Sequence, residues 1–310
     1  MVTIPSSMTR RAFVLAAAGG ALATLPRVAR AADWREQHRT ITASIISSEN
    51  QADLLTRHEP FRAYLERELR VKIRITTGTD YAGTIEAMRA KKAELAYFGP
   101  ASYAKAWEVT GGNVEPFAVQ TDDTGSAFYQ SVIVVKASSP YKSVADLKGK
   151  ALAFADPNST SGYQVPNYFL RKEKIVPEQF FGRTGFGGNH ENSVLAVLNG
   201  TYDAAATWYR NEQRSNFQRM QDKGMIPAGS LRIVWMSPQL PESPYTLLKS
   251  LPEPMKADVK RAVLGFPEKD AEAWRALTDG KSKGLAAVTH DNYVEIIELI
   301  KENQRLRRAG

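Results

Sequence analysis

Apolar positions along this chain recur in two alternating rhythms. Ile41-Thr42-Ala43-Ser44-Ile45-Ile46 and Val71-Lys72-Ile73-Arg74-Ile75 predict strands, and between them Leu54, Leu55, Phe61, Tyr64, Leu65 and Leu69 predict a helix. The polar segment Ser47-Ser48-Glu49-Asn50-Gln51 separates the first strand from that helix. Thr79-Asp80 then caps a helix carrying Tyr81, Ile85 and Met88, Leu95-Ala96-Tyr97-Phe98 predicts the next strand, and Gly99-Pro100 opens a further helix with proline at its favoured first position. Repeated β-α-β units imply a parallel sheet with helices on both faces. Ligands of such sheets sit at the carboxyl ends of the strands. That rule places Glu49-Asn50, Asp80-Tyr81, Tyr97 to Ser102 and Ser159 to Tyr163 on one rim.

The same rhythm repeats further along, which predicts two α/β lobes. Ser131-Val132-Ile133-Val134-Val135 reads as a first crossing between them and Leu231-Arg232-Ile233-Val234-Trp235 as the return. Lobe 1 is expected over 32–134 and 236–310, and lobe 2 over 135–235. Within lobe 2 the helix around Val194, Leu195 and Leu198 ends at Asn199-Gly200, followed by a strand from Tyr202 to Tyr209. After the return crossing the pattern predicts helices, rich in proline to about residue 267 and ending near Asn303. Two lobes joined by two strands make a hinge.

The N-terminus changes the picture from cellular to exported. Thr9-Arg10-Arg11-Ala12-Phe13-Val14-Leu15 is a twin-arginine pattern, a weakly apolar run follows to Leu25, and Ala29-Arg30-Ala31 supplies a cleavage site. Residues 1–31 are therefore expected to be a signal peptide. The chain carries 41 Lys+Arg against 33 Asp+Glu, a formal +8. Arg10, Arg11, Arg27 and Arg30 leave with the signal, so the remainder carries a mild +4 and no dense basic run. That charge does not favour nucleic acid as a partner. Cysteine is absent, which excludes disulfides, thiolate metal sites, a cysteine nucleophile and a lipidated cysteine. The expected product is a soluble periplasmic protein without a lipid anchor.

The chemistry concentrates in Asp156-Pro157-Asn158-Ser159-Thr160-Ser161-Gly162-Tyr163, which follows the strand-like run Ala151-Leu152-Ala153-Phe154-Ala155. A helix start presents unpaired N–H groups and the positive end of the helix dipole. Ser159, Thr160 and Ser161 add three hydroxyl donors there, a setting suited either to plain N-capping or to holding a small tetrahedral oxyanion. His190 opens the helix after Gly187-Gly188, where the dipole disfavours an imidazolium. Tyr97 ends its strand just before Gly99-Pro100 and can donate across the cleft. Pro166 falls about one turn into the helix after Ser161, so the regular helix starts later or kinks.

Catalytic patterns are missing from the sequence. His190-Glu191 lacks the second histidine of a zinc-protease helix, and the hydroxyl run lacks the first glycine of a G-x-S-x-G elbow. Gly185-Phe186-Gly187-Gly188 is too short for a dinucleotide fingerprint, and no carboxylate cluster has ligand spacing. A binding protein, with no metal and no cofactor, is expected in preference to an enzyme.

At these residues the chain resembles the periplasmic substrate-binding proteins of phosphonate and phosphite ABC transporters. The markers are Asp80-Tyr81-Ala82-Gly83-Thr84-Ile85-Glu86-Ala87-Met88, Ala96-Tyr97-Phe98-Gly99-Pro100-Ala101-Ser102-Tyr103 and Val144-Ala145-Asp146-Leu147-Lys148-Gly149-Lys150, with the hydroxyl cluster and Gly188-Asn189-His190-Glu191-Asn192-Ser193-Val194-Leu195-Ala196-Val197 in order behind them. The resemblance implies a type II periplasmic binding fold, two α/β lobes joined by a two-strand hinge with the ligand cleft between them. It also implies that Ser159, Thr160, Ser161 and His190 hold the oxygens of a phosphonate while Tyr97 closes from the other lobe. Its implied partners are a small phosphorus oxyanion and an ABC permease in the inner membrane, and the protein is expected to act as a monomer. In aminoalkylphosphonate binders of that family acidic side chains receive the ligand's amine. The sequence does not place such residues here; Trp208-Tyr209-Arg210-Asn211-Glu212 is a candidate region, and Arg210 among aromatics does not suit an ammonium. Phosphite, methylphosphonate and phosphate are compatible instead. The alternatives keep the fold and bind a sulfonate or amino-pyrimidine, or serve a membrane receptor as a ligand sensor.

Overall fold

A computed structural model describes residues 33–309 of the chain. The twin-arginine signal and cleavage site expected within 1–31 lie outside the described residues. In chain order the strands are β1 (Thr40–Ile45), β2 (Lys72–Thr77), β3 (Leu95–Tyr97), β4 (Val114–Gln120), β5 (Phe128–Lys136), β6 (Ala151–Phe154) and β7 (Arg183–Phe186). They continue with β8 (Ala204–Asn211), β9 (Arg214–Ser215), β10 (Leu231–Met236), β11 (Leu240–Pro241), β12 (Pro244–Leu248) and β13 (Leu285–Ala287).

Local signals set the helices that link them. The Asn50 side chain accepts hydrogen bonds from the N–H groups of Ala52 and Asp53, so the helix Gln51–Leu69 begins at a satisfied cap and buries Leu54, His58, Phe61 and Leu65 along one stripe. Asp80 caps the helix Tyr81–Arg89 through the Gly83 N–H in the same way.

Two sheets result. The first has the order β13-β4-β12-β3-β1-β2, and the second β10-β5-β8-β6-β7, with β11 beside β5 and β9 beside β8. The β-α-β units do make parallel pairs, β1 with β2 and β3, and β6 with β7 and β8. The expectation of wholly parallel sheets is corrected where the chain returns from the second sheet: β12 enters the middle of the first sheet antiparallel to β3 and β4. Helices only were expected after the return strand, whereas the five residues Pro244–Leu248 form a buried strand there. Pro116 of β4 has no N–H to give the ladder, and the register shifts beside it, from Tyr245↔Ala118 to Thr246↔Pro116.

The strand expected to cross between lobes, β5, pairs inside the second sheet with β8 and β10, and only Phe128 and Tyr129 pair with β11. The chain therefore changes sheets over 121–127 and returns after Met236. The last helix, Val294–Ala309, runs past the expected end near Asn303. Its Ile296 is buried with Tyr129, Val165 and Leu240 where the two sheets meet. Among the described residues no helix is long and apolar enough to cross a membrane.

Candidate functional site

Proline decides the shape of the hydroxyl segment. After β6 the chain enters one wide turn, Thr160–Gln164, of π-helical type, and the α-helix Val165–Lys172 starts only there, with Pro166 in its first turn. Continuing that wide turn would require an N–H from residue 166 to the Ser161 carbonyl. Proline has none, and the Ser131 hydroxyl donates to that carbonyl instead, at 2.7 Å. The Ser159 hydroxyl accepts from the Gly162 N–H at 3.0 Å, so the plain capping role and a place on the cavity wall coexist in one residue. A methyl group on Gly162 would meet the Ala155 Cβ at 2.4 Å and the His190 Cε1 at 2.9 Å, so no other residue fits at that turn.

His190 is the first residue of the helix His190–Leu198, capped by the Asn189 side chain. Its Nε2 lies 3.3 Å from the Ser159 Oγ and its Nδ1 lies 3.1 Å from the Thr207 Oγ1. Burial, aided by the Arg219 cation, pushes the imidazole down to about 3, so it stays neutral at physiological pH. The Thr160 Oγ1 accepts from the Ala101 N–H at 2.8 Å, tying the second lobe to the start of the helix Pro100–Val109 in the first. Burial raises the phenols of Tyr97 and Tyr129, and hydrogen bonds with Thr160 and Ser161 partly offset this for Tyr129. Both phenols remain donors at neutral pH.

All five residues singled out from the sequence, Tyr97, Ser159, Thr160, Ser161 and His190, line a single cavity of about 90 Å³. On the same measure one water needs only about 10–15 Å³. A small polyatomic anion is the right size of occupant.

Part of the remaining wall is ionic. Arg57, Arg210, Arg219, Glu242, Gln120 and Trp208 also face the cavity. Arg210 donates to Glu242 through Nε at 2.6 Å, and both side chains are almost fully buried. Arg57 pairs with Glu49, whose other oxygen takes Lys223 at 2.8 Å. Burial works to raise the Glu49 carboxyl, and Arg57, Arg219 and Lys223 outweigh it, holding the group well below the usual carboxylate range. Lys223 also meets Glu191 at 2.8 Å, and the Glu191 carboxylate accepts from the Asn50 N–H at 2.9 Å. These bonds run from one lobe to the other, so the cleft is closed. Among the described residues no group of three or more His, Cys, Asp or Glu side chains is arranged to hold a metal ion.

Residues 43–293 match the family model described as ABC transporter, phosphonate, periplasmic substrate-binding protein. The chain belongs to that family. It is 34% identical over 225 residues to the phosphonates-binding periplasmic protein of Escherichia coli, a stretch that is 71% of this chain and 64% of that relative, just under two thirds of its length. It is 32% identical over 273 residues to the phosphate-import protein PhnD of Mycolicibacterium smegmatis, covering 82% of this chain and 83% of that one. Among solved structures, the binding-protein component of an ABC phosphonate transporter from Pseudomonas aeruginosa matches with a TM-score of 0.78 at 28% identity, over 87% of this chain and 88% of that one. The fold is accordingly that of the type II periplasmic binding proteins, with two α/β lobes, a two-strand hinge and a cleft between them.

Sequence reasoning for this family member missed most of the ionic wall. Arg57 carried a usable signal, because it lies beside His58 between the stripe positions Leu54 and Phe61, where a charge is out of place. Glu49 was placed on the ligand rim without a partner. Arg219 and Lys223 come from the short helix Asn216–Asp222 and its end, and nothing local marks them.

Proposed function

We propose that this protein is the substrate-binding component of an ABC importer for phosphonate, phosphite, phosphate or a related small phosphorus oxyanion. Export through the twin-arginine signal in residues 1–31 delivers it to the periplasm, where it works as a soluble monomer without a lipid anchor and docks on an inner-membrane permease. Lobe 1 is read as 32–134 and 236–310 and lobe 2 as 135–235, and the pairing of β5 with β8 and β10 supports moving the first boundary back to 121–127.

The observation that carries the reading is convergence. Two segments of the second lobe and Tyr97 of the first, chosen for their chemistry, share one closed cavity whose donors suit a tetrahedral anion. Ser159, Thr160 and Ser161 supply hydroxyls at a turn start, neutral His190 positions Ser159, and Tyr97 donates from across the cleft. The ligand enters an open cleft, meets the hydroxyl wall, and draws the lobes together because it contacts both only when they are closed. Charge-assisted hydrogen bonds are about twice as strong as neutral ones, so several on one anion give about micromolar affinity or better.

Calorimetry on the protein with phosphite, methylphosphonate, 2-aminoethylphosphonate, phosphate and sulfate tests this. The expected result is binding of at least one phosphorus anion and none of sulfate, with Ser161→Ala weakening it by about tenfold to a hundredfold. If no phosphorus anion binds, or if Ser161→Ala leaves the affinity untouched, the assignment is wrong.

A further inference from the structure

The two walls of the cavity differ in charge, and the ionic wall has more cation than its carboxylates use. Five cations surround it: Arg57, Arg210, Arg214, Arg219 and Lys223. The buried carboxylates facing them are Glu49, Glu191 and Glu242, while Asp53 and Asp279 take part only as substantially exposed residues. Arg210 is matched by Glu242, and Arg57 and Lys223 by Glu49 and Glu191. Arg214 meets only neutral oxygens, the Gln120 side chain at 2.8 Å and the carbonyls of Thr121 and Lys281.

Arg219 is the least engaged of the five. Its guanidinium makes no hydrogen bond among the described residues, and its carboxylate neighbours Glu49 and Asp279 stand at 3.6 and 3.5 Å. It lies 5.1 Å from the Trp208 ring centre, and both residues line the cavity. Arg57 lines it too, and its Nε is buried without a partner. Burial and the neighbouring cation Arg57 push the Arg219 guanidinium down, and burial and Arg210 push Arg214 down to about 9. Both remain cationic at neutral pH, in a setting that an added anion would relieve.

The hydroxyl wall needs no cation to hold an oxyanion, since several neutral donors line the same cavity. We infer that the ligand has two anionic ends, a phosphonyl group at Ser159, Thr160 and Ser161 and a carboxylate received by Arg219 and Arg57 beside Trp208. This rests on the phosphorus-anion reading of the hydroxyl wall. A planar guanidinium stacked near an aromatic ring and holding unused N–H donors is matched to a carboxylate in both geometry and charge. An ammonium at the same place would face uncompensated cations. A cavity of about 90 Å³ limits the ligand to a short phosphonocarboxylate of the size of phosphonoacetate or 3-phosphonopropionate.

The test compares phosphonoacetate, methylphosphonate and 2-aminoethylphosphonate by calorimetry on the wild-type protein, Arg219→Gln and Arg219→Lys. Wild type is expected to bind phosphonoacetate about tenfold or more tighter than methylphosphonate, and 2-aminoethylphosphonate more weakly than either. Arg219→Gln should lower the phosphonoacetate affinity far more than the methylphosphonate affinity, and Arg219→Lys should restore part of the gap. Methylphosphonate binding by each variant also reports that it is folded. Equal loss for both ligands would mean that Arg219 serves the phosphonyl group, and that outcome overturns the inference, as does tighter binding of 2-aminoethylphosphonate or no preference for phosphonoacetate. In those cases methylphosphonate still binds and the hydroxyl-wall reading stands. Failure of every phosphorus anion to bind removes both together.

Discussion

The hydroxyl wall and the ionic wall face the same cavity and are built on opposite plans. The hydroxyl wall comes from one continuous run, Ser159 to Ser161, plus His190, and its parts are neutral, held by the Gly162 N–H within the turn, by His190 and by the Ala101 N–H of the other lobe. The ionic wall gathers Glu49 and Arg57 near one helix start, Arg210 on β8, Arg219 in a later helix and Glu242 before β12. Its parts are charged and buried, and apart from the Glu49–Arg57 pair they depend on partners far away in the chain. Ser159 and Thr160 also hold the Gly162 and Ala101 N–H groups, but a neutral hydroxyl such as that of Ser161 can be lost without leaving a buried charge behind. Half of a buried ion pair cannot, because the partner left behind has no water to replace what it lost. The comparison teaches that the cost to the fold of losing one group is divided unequally between the walls.

Arg210→Met is the most severe test of that division. It leaves Glu242 buried without its ion-pair partner, and breaking one half of such a pair costs about 3–5 kcal/mol. Chemical denaturation should show that loss, and the double variant Arg210→Met with Glu242→Leu should recover most of it. Ser161→Ala, by contrast, should move stability by only about 1 kcal/mol while removing most of the binding. If Arg210→Met unfolds at the wild-type midpoint, the ionic wall is not a structural element and the contrast fails.

The same division governs what could be read from the sequence. Ser159 to Ser161, His190 and Tyr97, which share one cavity, could be singled out because a strand–helix junction rich in polar side chains is a local device, written in adjacent residues. The β-α-β units were legible for the same reason: β1, β2 and β3 and the helix Gln51–Leu69 follow from periodicity and caps within about twenty residues. Pro166 announced an irregularity, and the wide turn at Thr160–Gln164 is its resolution. What stayed hidden depends on distant residues. The place of β12 in the first sheet is set by β3 and β4, more than a hundred residues earlier, and the pairing of Glu49 with Lys223 exists only after the lobes meet.

Acid should separate the walls in order. Burial holds His190 at about 3, and burial also holds His58, behind Arg57, at about 3, against an ordinary value of 6.5. Between those values the unfolded chain takes up protons that the folded chain refuses, so stability falls as pH drops from about 6.5 toward 3, by about 2 kcal/mol per histidine at pH 5. Glu49 has the opposite starting point but the same direction. Its folded carboxyl is depressed, so its contribution is intact above 4.5 and is lost only as pH falls further. Denaturation midpoints measured between pH 8 and pH 4 should therefore decline first through the histidines, and His58→Gln should flatten the slope between pH 6.5 and 5. An unchanged slope in that variant would mean that His58 is protonated in the fold.

Lys223 probes the narrowest point of the comparison, since it bridges the lobes without lining the cavity. It holds Glu49 at 2.8 Å and Asp53 at 3.0 Å on one side and Glu191 at 2.8 Å on the other. Lys223→Ala leaves Glu49 with Arg57, while the buried Glu191 carboxylate keeps the Asn50 N–H and loses its cation. The Lys223 side chain is 22% exposed, which keeps the electrostatic gain modest, about 1 kcal/mol or less. What the variant loses is part of the bias toward the closed form. A ligand that binds only when the lobes meet then shows a weaker apparent affinity, by about threefold to fivefold, with unchanged contacts inside the cavity. Calorimetry in low and high salt measures this directly: the wild-type advantage should shrink as salt screens the bridge. A loss far beyond fivefold that persists in high salt would place Lys223 in direct service of the ligand, and the ionic wall would then extend to the cleft mouth.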